Sequence, residues 1–187
     1  MIVRGVNVKG SAFRARMQYV EERGAEAAAR LLAELDDETR PLARAGFLVN
    51  GWYPYAAFIE LNRAIDKLFG KGDFALCREL GRYGCDVNLT TLYRVFFRLG
   101  SVAFILRRAA AAWRVNYDDG QLNVIEQGEG FVRFRLVGVP QPHRAHCLSV
   151  LGWITRAVEL SGGKVQDVQE SCRASGQPEC EMAIRWK

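Results

Sequence analysis

The sequence predicts an α+β fold, with helices over residues 11–112 followed by an antiparallel sheet over residues 113–187 that one helix interrupts. Two observations carry this. Through the first half, apolar residues recur at helical spacing, as in Phe58, Leu61, Ile65 and Leu68. From Trp113 the pattern changes to alternation, punctuated by Asp118-Asp119-Gly120 and Gly128-Glu129-Gly130, which are hairpin signals. No repeat, low-complexity tract or linker divides the 187 residues, so residues 1–187 are read as one domain with a substantial core.

The elements follow in order. Val3, Val6 and Val8 suggest a short leading strand or extended arm over residues 2–10. Ser11 can cap a helix bearing Phe13, Met17 and Val20 and, past Gly24, Ala27, Leu31 and Leu35. Pro41 opens a short second helix that Gly46 ends, and residues 50–54 read as a turn that places Pro54 in the first turn of the next helix. Gly70 and Gly72 end that helix. Asp73 caps another, bearing Leu76, Leu80 and Tyr83 and ending at Gly84, and residues 87–112 read as a long helical region broken at Gly100-Ser101. Residues 113–117, 122–126 and 131–137 predict a three-stranded meander, closed by Pro140 and Pro142. A helix over about residues 143–160 turns Cys147, Val150, Leu151, Ile154 and Val158 inward, and a terminal hairpin over 164–186 turns on Gly176 and Pro178.

Composition excludes several functions. Hydrophobic residues at 49% and charged residues at 25% are those of an ordinary globular protein. The net charge of +5 comes from scattered arginines (Arg14, Arg16, Arg30, Arg63, Arg94, Arg98, Arg107, Arg108, Arg133, Arg135), read as solvated faces and ion pairs. They are not clustered among stacking aromatics, so no nucleic-acid partner is expected. No leader is apparent and no membrane span is expected, the nearest apolar stretch, residues 95–106, being broken by Arg98 and Gly100. Five cysteines and no export signal point to a reducing, cytoplasmic setting. There is no nucleophile elbow, phosphate loop or dinucleotide fingerprint. The two histidines lie within four residues of each other, which leaves few general-base arrangements, so the chain is read as a non-enzyme.

One constellation stands out. Seven residues separate Cys172 from Cys180 across the terminal turn, which sets them opposite or nearly so on a hairpin. Cys147, in the first turn of the preceding helix, can approach one end of that hairpin. Three thiolates with an imidazole or carboxylate would make a closed structural zinc site. His143 shares a helical face with Cys147, and Glu170 shares a strand face with Cys172, so both are candidate fourth ligands, as is His146. Simple burial of the thiols and a Cys172–Cys180 disulfide remain open readings of the same spacing. Cys77 and Cys85 are read as packing. Aromatic residues of the helical half, Trp52, Tyr55, Phe58, Tyr93, Phe96, Phe97 and Phe104, are the candidate lining of an apolar ligand pocket.

The tail Glu170-x-Cys172-x-Ala174-x-Gly176-x-Pro178-x-Cys180 resembles the closing motif of the 4-vinyl-reductase domain family. That family is related in fold to haem-nitric-oxide-binding domains and to the Bet3-type subunits of the TRAPP tethering complex. Tyr117-Asp-Asp-Gly-x-Leu122 through Gly138-Val-Pro140 is also similar to a myxobacterial family of unknown function. The resemblance covers about residues 50–187. In the phenol-sensing members, zinc is held by an early cysteine, a glutamate and the two hairpin cysteines, which implies Cys147, Cys172 and Cys180 here. The family glutamate falls on Gln169, one residue from Glu170, so the chain departs from the pattern there. The resemblance further implies a homodimer and a buried apolar pocket. Haem is not expected, because the Tyr-x-Ser-x-Arg clamp of the haem-binding branch and a mid-chain histidine are both missing. The combined expectation is a sensor for a small apolar or aromatic molecule with a zinc clasp. Its alternative is a Bet3-like dimeric scaffold that docks a signalling protein.

Overall fold

The structure of the chain, a computed structural model, describes residues 6–88 and 111–187. Strand β1, Asn7–Lys9, runs directly into helix α1, Gly10–Glu21, followed by α2, Ala25–Glu34, and α3, Thr39–Ala45. Strand β2, Trp52–Pro54, leads into α4, Tyr55–Phe69, and then α5, Ala75–Asn88. Residues 111–116 are helical. The second half holds β3, Gln121–Gly128, β4, Phe131–Val137, α6, Arg144–Leu160, β5, Val165–Ser171, and β6, Cys180–Trp186. A 3₁₀ turn, Arg173–Ser175, joins the last two strands. Among the described residues no helix is long and apolar enough to cross a membrane.

The α+β class and the strand–helix–hairpin order are those the sequence predicts. The four-stranded antiparallel sheet has the order β3-β4-β6-β5, so the last strand of the chain is central. Val132, Phe134 and Leu136 of β4 stand opposite Ile184, Met182 and Cys180 of β6. All six are buried, because this face of the sheet is covered by Val150, Leu151, Ile154 and Val158 of α6. The other side of α6 packs on α5, which explains why most of α6 is buried rather than a single stripe. Two glycines permit that approach. A Cβ on Gly81 would stand 2.0 Å from the Ser149 carbonyl oxygen, and one on Gly152 would stand 1.9 Å from that of Arg78. A second core, with Phe13, Leu31, Phe58, Leu61 and Ile65, lies among α1 to α5. Tyr55 and Tyr117 pack against both cores.

Several element boundaries differ from the sequence reading. Residues 52–54 form a strand, since Trp52, Tyr53 and Pro54 pair with Lys9, Val8 and Asn7. The first predicted helix is two helices, parted at Gly24 with φ +98°, a conformation that costs glycine little. Gly84 does not end α5, which continues to Asn88. Its missing side chain instead makes room for the Arg16 guanidinium, whose Nη1 lies 2.7 Å from where a Cβ would be.

The predicted three-stranded meander has two strands, β3 and β4. Its expected first strand, residues 113–117, is helical to residue 116. Trp113 and Tyr117 are two alternations apart but also one helical turn apart, and their rings stack with centroids at 3.9 Å. Val115, which a strand would have turned inward with them, is 63% exposed. Tyr117 itself bridges to Val8, and Asp118 accepts hydrogen bonds from the Asn7 backbone and side-chain amides at 2.6 and 2.7 Å. These contacts tie the segment to β1. Most of the predicted helical region 87–112, residues 89–110, lies outside the described residues.

Candidate functional site

Cys147 sits in the first turn of α6, Cys172 directly after β5 and Cys180 at the start of β6. Ser171 pairs with Glu181, so the next position on each strand brings Cys172 and Cys180 together, and α6 delivers Cys147 to the same end of the sheet. The three Sγ atoms lie within 4.8 Å of one another, and all three residues are buried. All five cysteines of the chain are free thiols. A tetrahedral zinc with Zn–S bonds of ~2.3 Å would hold its sulfurs about 3.8 Å apart, so a small contraction would suffice.

The surroundings favour thiolate at Cys172 alone, since burial raises Cys180 despite its N–H donor. Cys172 is lowered to about 6, chiefly by the hydrogen bond from the Cys147 thiol and, against the effect of burial, by the Ala174 backbone N–H. Cys147 is correspondingly raised, first by donating that hydrogen bond and then by burial. The Arg173 backbone N–H donates to Cys180 Sγ at 3.3 Å. Such N–H···S contacts stabilise a sulfur bearing negative charge.

The other candidate ligands stand apart from this trio. Glu170 Oε1 is buried without a hydrogen-bond partner, while Oε2 lies 3.9 Å from Arg144 Nε. Burial raises the Glu170 carboxyl. His143 caps α6, its Nδ1 accepting from the Ala145 N–H at 3.2 Å, and its ring meets Phe74 edge-on at 5.0 Å. His146 points into a cage of Tyr55, Trp113 and Tyr117, with ring centroids at 5.0, 5.7 and 5.1 Å. It is fully buried, neither ring nitrogen has a hydrogen-bond partner among the described residues, and burial lowers it to about 3. Among the described residues, the close grouping of metal-ligating atoms consists of the three thiols alone.

A cavity of about 70 Å³ lies one turn of α6 beyond His146, between the helical half and the sheet half. Phe58, Trp113, Trp153 and Ile154 give it apolar walls, and Arg16 and Ser149 give it polar ones. Of the aromatic residues expected to line a pocket, Phe58 does so. Tyr55 instead packs on His146, and Trp52 is 43% exposed with Lys9 Nζ 4.3 Å from its ring centroid. Tyr93, Phe96, Phe97 and Phe104 lie outside the described residues.

Arg16, read from composition as part of a solvated face, is buried at 3% exposure. Its Nε donates to Asn62 Oδ1 at 3.2 Å, and its Nη2 donates to Ser149 Oγ. The signal in the sequence was its position between Phe13 and Val20, three and four residues away on the buried face of α1. Asn62, Ser149 and Trp153 carry no comparable signal, because only tertiary packing brings them to Arg16.

No protein-family model matches the chain, and no curated protein does. Solved structures do resemble it. An H-NOX protein from S. oneidensis in the Fe(II)NO ligation state superposes with a TM-score of 0.72 at 13% identity, over 96% of this chain and 99% of that one. An Fe(II) unliganded H-NOX protein from K. algicida gives 0.71 at 12% identity over 96% of both chains. An oxygen-binding H-NOX domain related to soluble guanylate cyclases gives 0.65 at 10% identity, over 96% of this chain and 95% of that one. Two expectations are thereby corrected. The assignment to the 4-vinyl-reductase family gives way to likeness to H-NOX proteins, because a short cysteine motif is a weaker witness than a superposition along nearly the whole chain. The exclusion of haem from missing motifs also falls, since the chain keeps the H-NOX architecture without them. What these structures establish for this chain is its fold, which is that of the H-NOX domain.

Proposed function

We propose that this chain is a non-enzymatic sensor domain that binds a small molecule in the cavity between its two halves, with the three-thiol cluster as a structural zinc clasp. The observation that carries the reading is the position of the cavity. Among the described residues its walls come from α1, α4 and α5 on one side and from α6, Leu122 of β3 and residues 112–117 on the other. An occupant therefore touches both cores, and its binding energy is available to bias their relative packing. The fold supports the same reading, because it is shared with proteins solved with nitric oxide or oxygen bound.

The zinc clasp rests on three converging thiols, an acidic Cys172 and an N–H donor to Cys180. Glu170, whose Oε1 is buried without a partner, stands apart from the trio and would have to turn toward it to serve as the fourth ligand. A metal there would lock the start of α6 to the β5–β6 turn and act on stability rather than on chemistry.

Haem is the group the fold brings to mind, one of the similar structures concerning haem redox potential and porphyrin distortion. His146 has two unpartnered nitrogens, but it faces Tyr55, Trp113 and Tyr117 and does not line the cavity. The cavity one helical turn away, at about 70 Å³, is about half the ~150 Å³ of one known to hold benzene. A porphyrin does not fit the described walls as they stand, so no step is routed through it.

Native mass spectrometry of protein purified without added metal tests the clasp, the occupant and a homodimer together. One zinc per chain is expected. Cys172→Ser and Cys180→Ser should each lose it and lower the melting temperature by several degrees. Unchanged metal content and stability in both variants would end the zinc reading. Haemin titration followed by absorbance belongs to the same experiment. A Soret shift that vanishes in His146→Ala would make haem the occupant and His146 its ligand.

A further inference from the structure

Arg16 is a buried cation without an anion. Its two hydrogen-bond acceptors, Asn62 Oδ1 and Ser149 Oγ, are neutral, and Phe58 supplies a ring face 4.9 Å from its guanidinium carbon. Nη1 has no hydrogen-bond partner among the described residues. None of the ion pairs of the described residues includes Arg16. Residues 1–5 and 89–110 contain no aspartate or glutamate, so they hold no carboxylate to supply the missing charge. Burial lowers Arg16 only to about 10, and the guanidinium remains protonated at neutral pH.

An unpaired buried charge is among the costliest features a core can carry, and a buried arginine is normally compensated by a carboxylate or phosphate. Here the guanidinium instead forms part of a cavity wall. Asn62 and Ser149 fix two of its nitrogens, and the absent side chain of Gly84 makes room for the third. Among the described residues the rest of the wall is mostly apolar, with Phe58, Trp113, Tyr117 and Trp153 as its aromatic members and Asn88 and Asn116 as its amides.

We propose that the cavity is built for a small organic anion whose carboxylate pairs with Arg16 while its apolar end lies against Phe58, Trp113 and Trp153. The planar fork of arginine matches a carboxylate with two parallel hydrogen bonds, which a lysine at this position would not reproduce. A cavity of about 70 Å³ sets the size at a few heavy atoms. This inference rests on the small-molecule reading and specifies the ligand's charge.

Melting temperatures of the full chain decide it, measured at constant ionic strength with acetate and propionate, each beside its neutral amide. The carboxylates should raise the melting temperature to a saturating limit by mass action, and the amides should not. Arg16→Met should lose the response, and Arg16→Lys, which keeps the charge without the fork, should retain it at least about tenfold more weakly. The lysine variant also guards against misfolding of the methionine one. If amides bind as well as carboxylates, or Arg16→Met responds like wild type, the anion inference falls and the small-molecule reading stands. If neither series shifts the wild-type protein, both fall.

Discussion

At His146 the fold holds an imidazole in a place that a hydrocarbon would fill more cheaply. Both ring nitrogens are unpartnered inside a cage of three aromatic rings, and the ring stays neutral because burial lowers it to about 3. Leaving a buried polar group unsatisfied costs about 1–3 kcal/mol, and an apolar replacement of similar shape removes that cost. His146→Phe is therefore expected to hold stability or raise it by about 1 kcal/mol in urea denaturation. A loss of more than about 2 kcal/mol would show that the nitrogens have a partner in solution, water or ligand. Arg16 follows the same logic with a full charge. A residue whose local cost has no structural return is a residue to examine for binding.

Between the described elements, the α5–α6 contact is the most extensive. Gly81 and Gly152 let the two helix backbones meet, and the exposed edge of the contact is closed by charge. Arg82 reaches both carboxylate oxygens of Glu159 at 2.8 Å, and Arg156 reaches Asp86 at 2.9 Å and Glu159 at 3.1 Å. A Cβ on Gly152 would collide with the Arg78 carbonyl oxygen, which is backbone and cannot swing aside. Gly152→Ala should thus part the helices at a cost of about 2 kcal/mol or more, read from the denaturation midpoint with an unchanged slope. A neutral effect would mean that the backbones stand farther apart in solution. Since α6 also carries Cys147 and Ser149, the same variant should weaken both metal retention and ligand response.

Among the described residues, aromatic side chains join the two large cores. Tyr55 and Tyr117 pack on both, α6 is sandwiched between α5 and the sheet, and Asp118 ties the start of the sheet half to β1. Shared residues of this kind make independent unfolding of either half costly. Residues 1–187 should accordingly unfold in one transition, with tryptophan fluorescence and far-ultraviolet circular dichroism coincident. Trp113, Trp153 and Trp186 report on the sheet half, and helix content is carried mainly by the other. Separated transitions would divide the chain at the cavity and overturn the single-domain reading.

Much of this architecture was legible one residue at a time. Helical periodicity located α4 and α6, the glycine–aspartate turns located β3 and β4, and the Cys-x7-Cys spacing anticipated that Cys172 and Cys180 would meet beside Cys147. These are local properties, set by backbone period and turn chemistry. The segment 113–117 misled because two aromatics four residues apart satisfy both strand alternation and a helical turn. Only the exposure of Val115 tells them apart. The meaning of Arg16 was likewise beyond the sequence, where it is one arginine of many. Its burial depends on Asn62, 46 residues away, on Ser149, 133 residues away, and on the gap left at Gly84. The sequence by itself located most of the elements and the three cysteines that meet at one end of the sheet. The tertiary structure alone decided which charge would be left unpaired, because desolvation depends on every neighbour that excludes water and not on the residues adjacent in the chain.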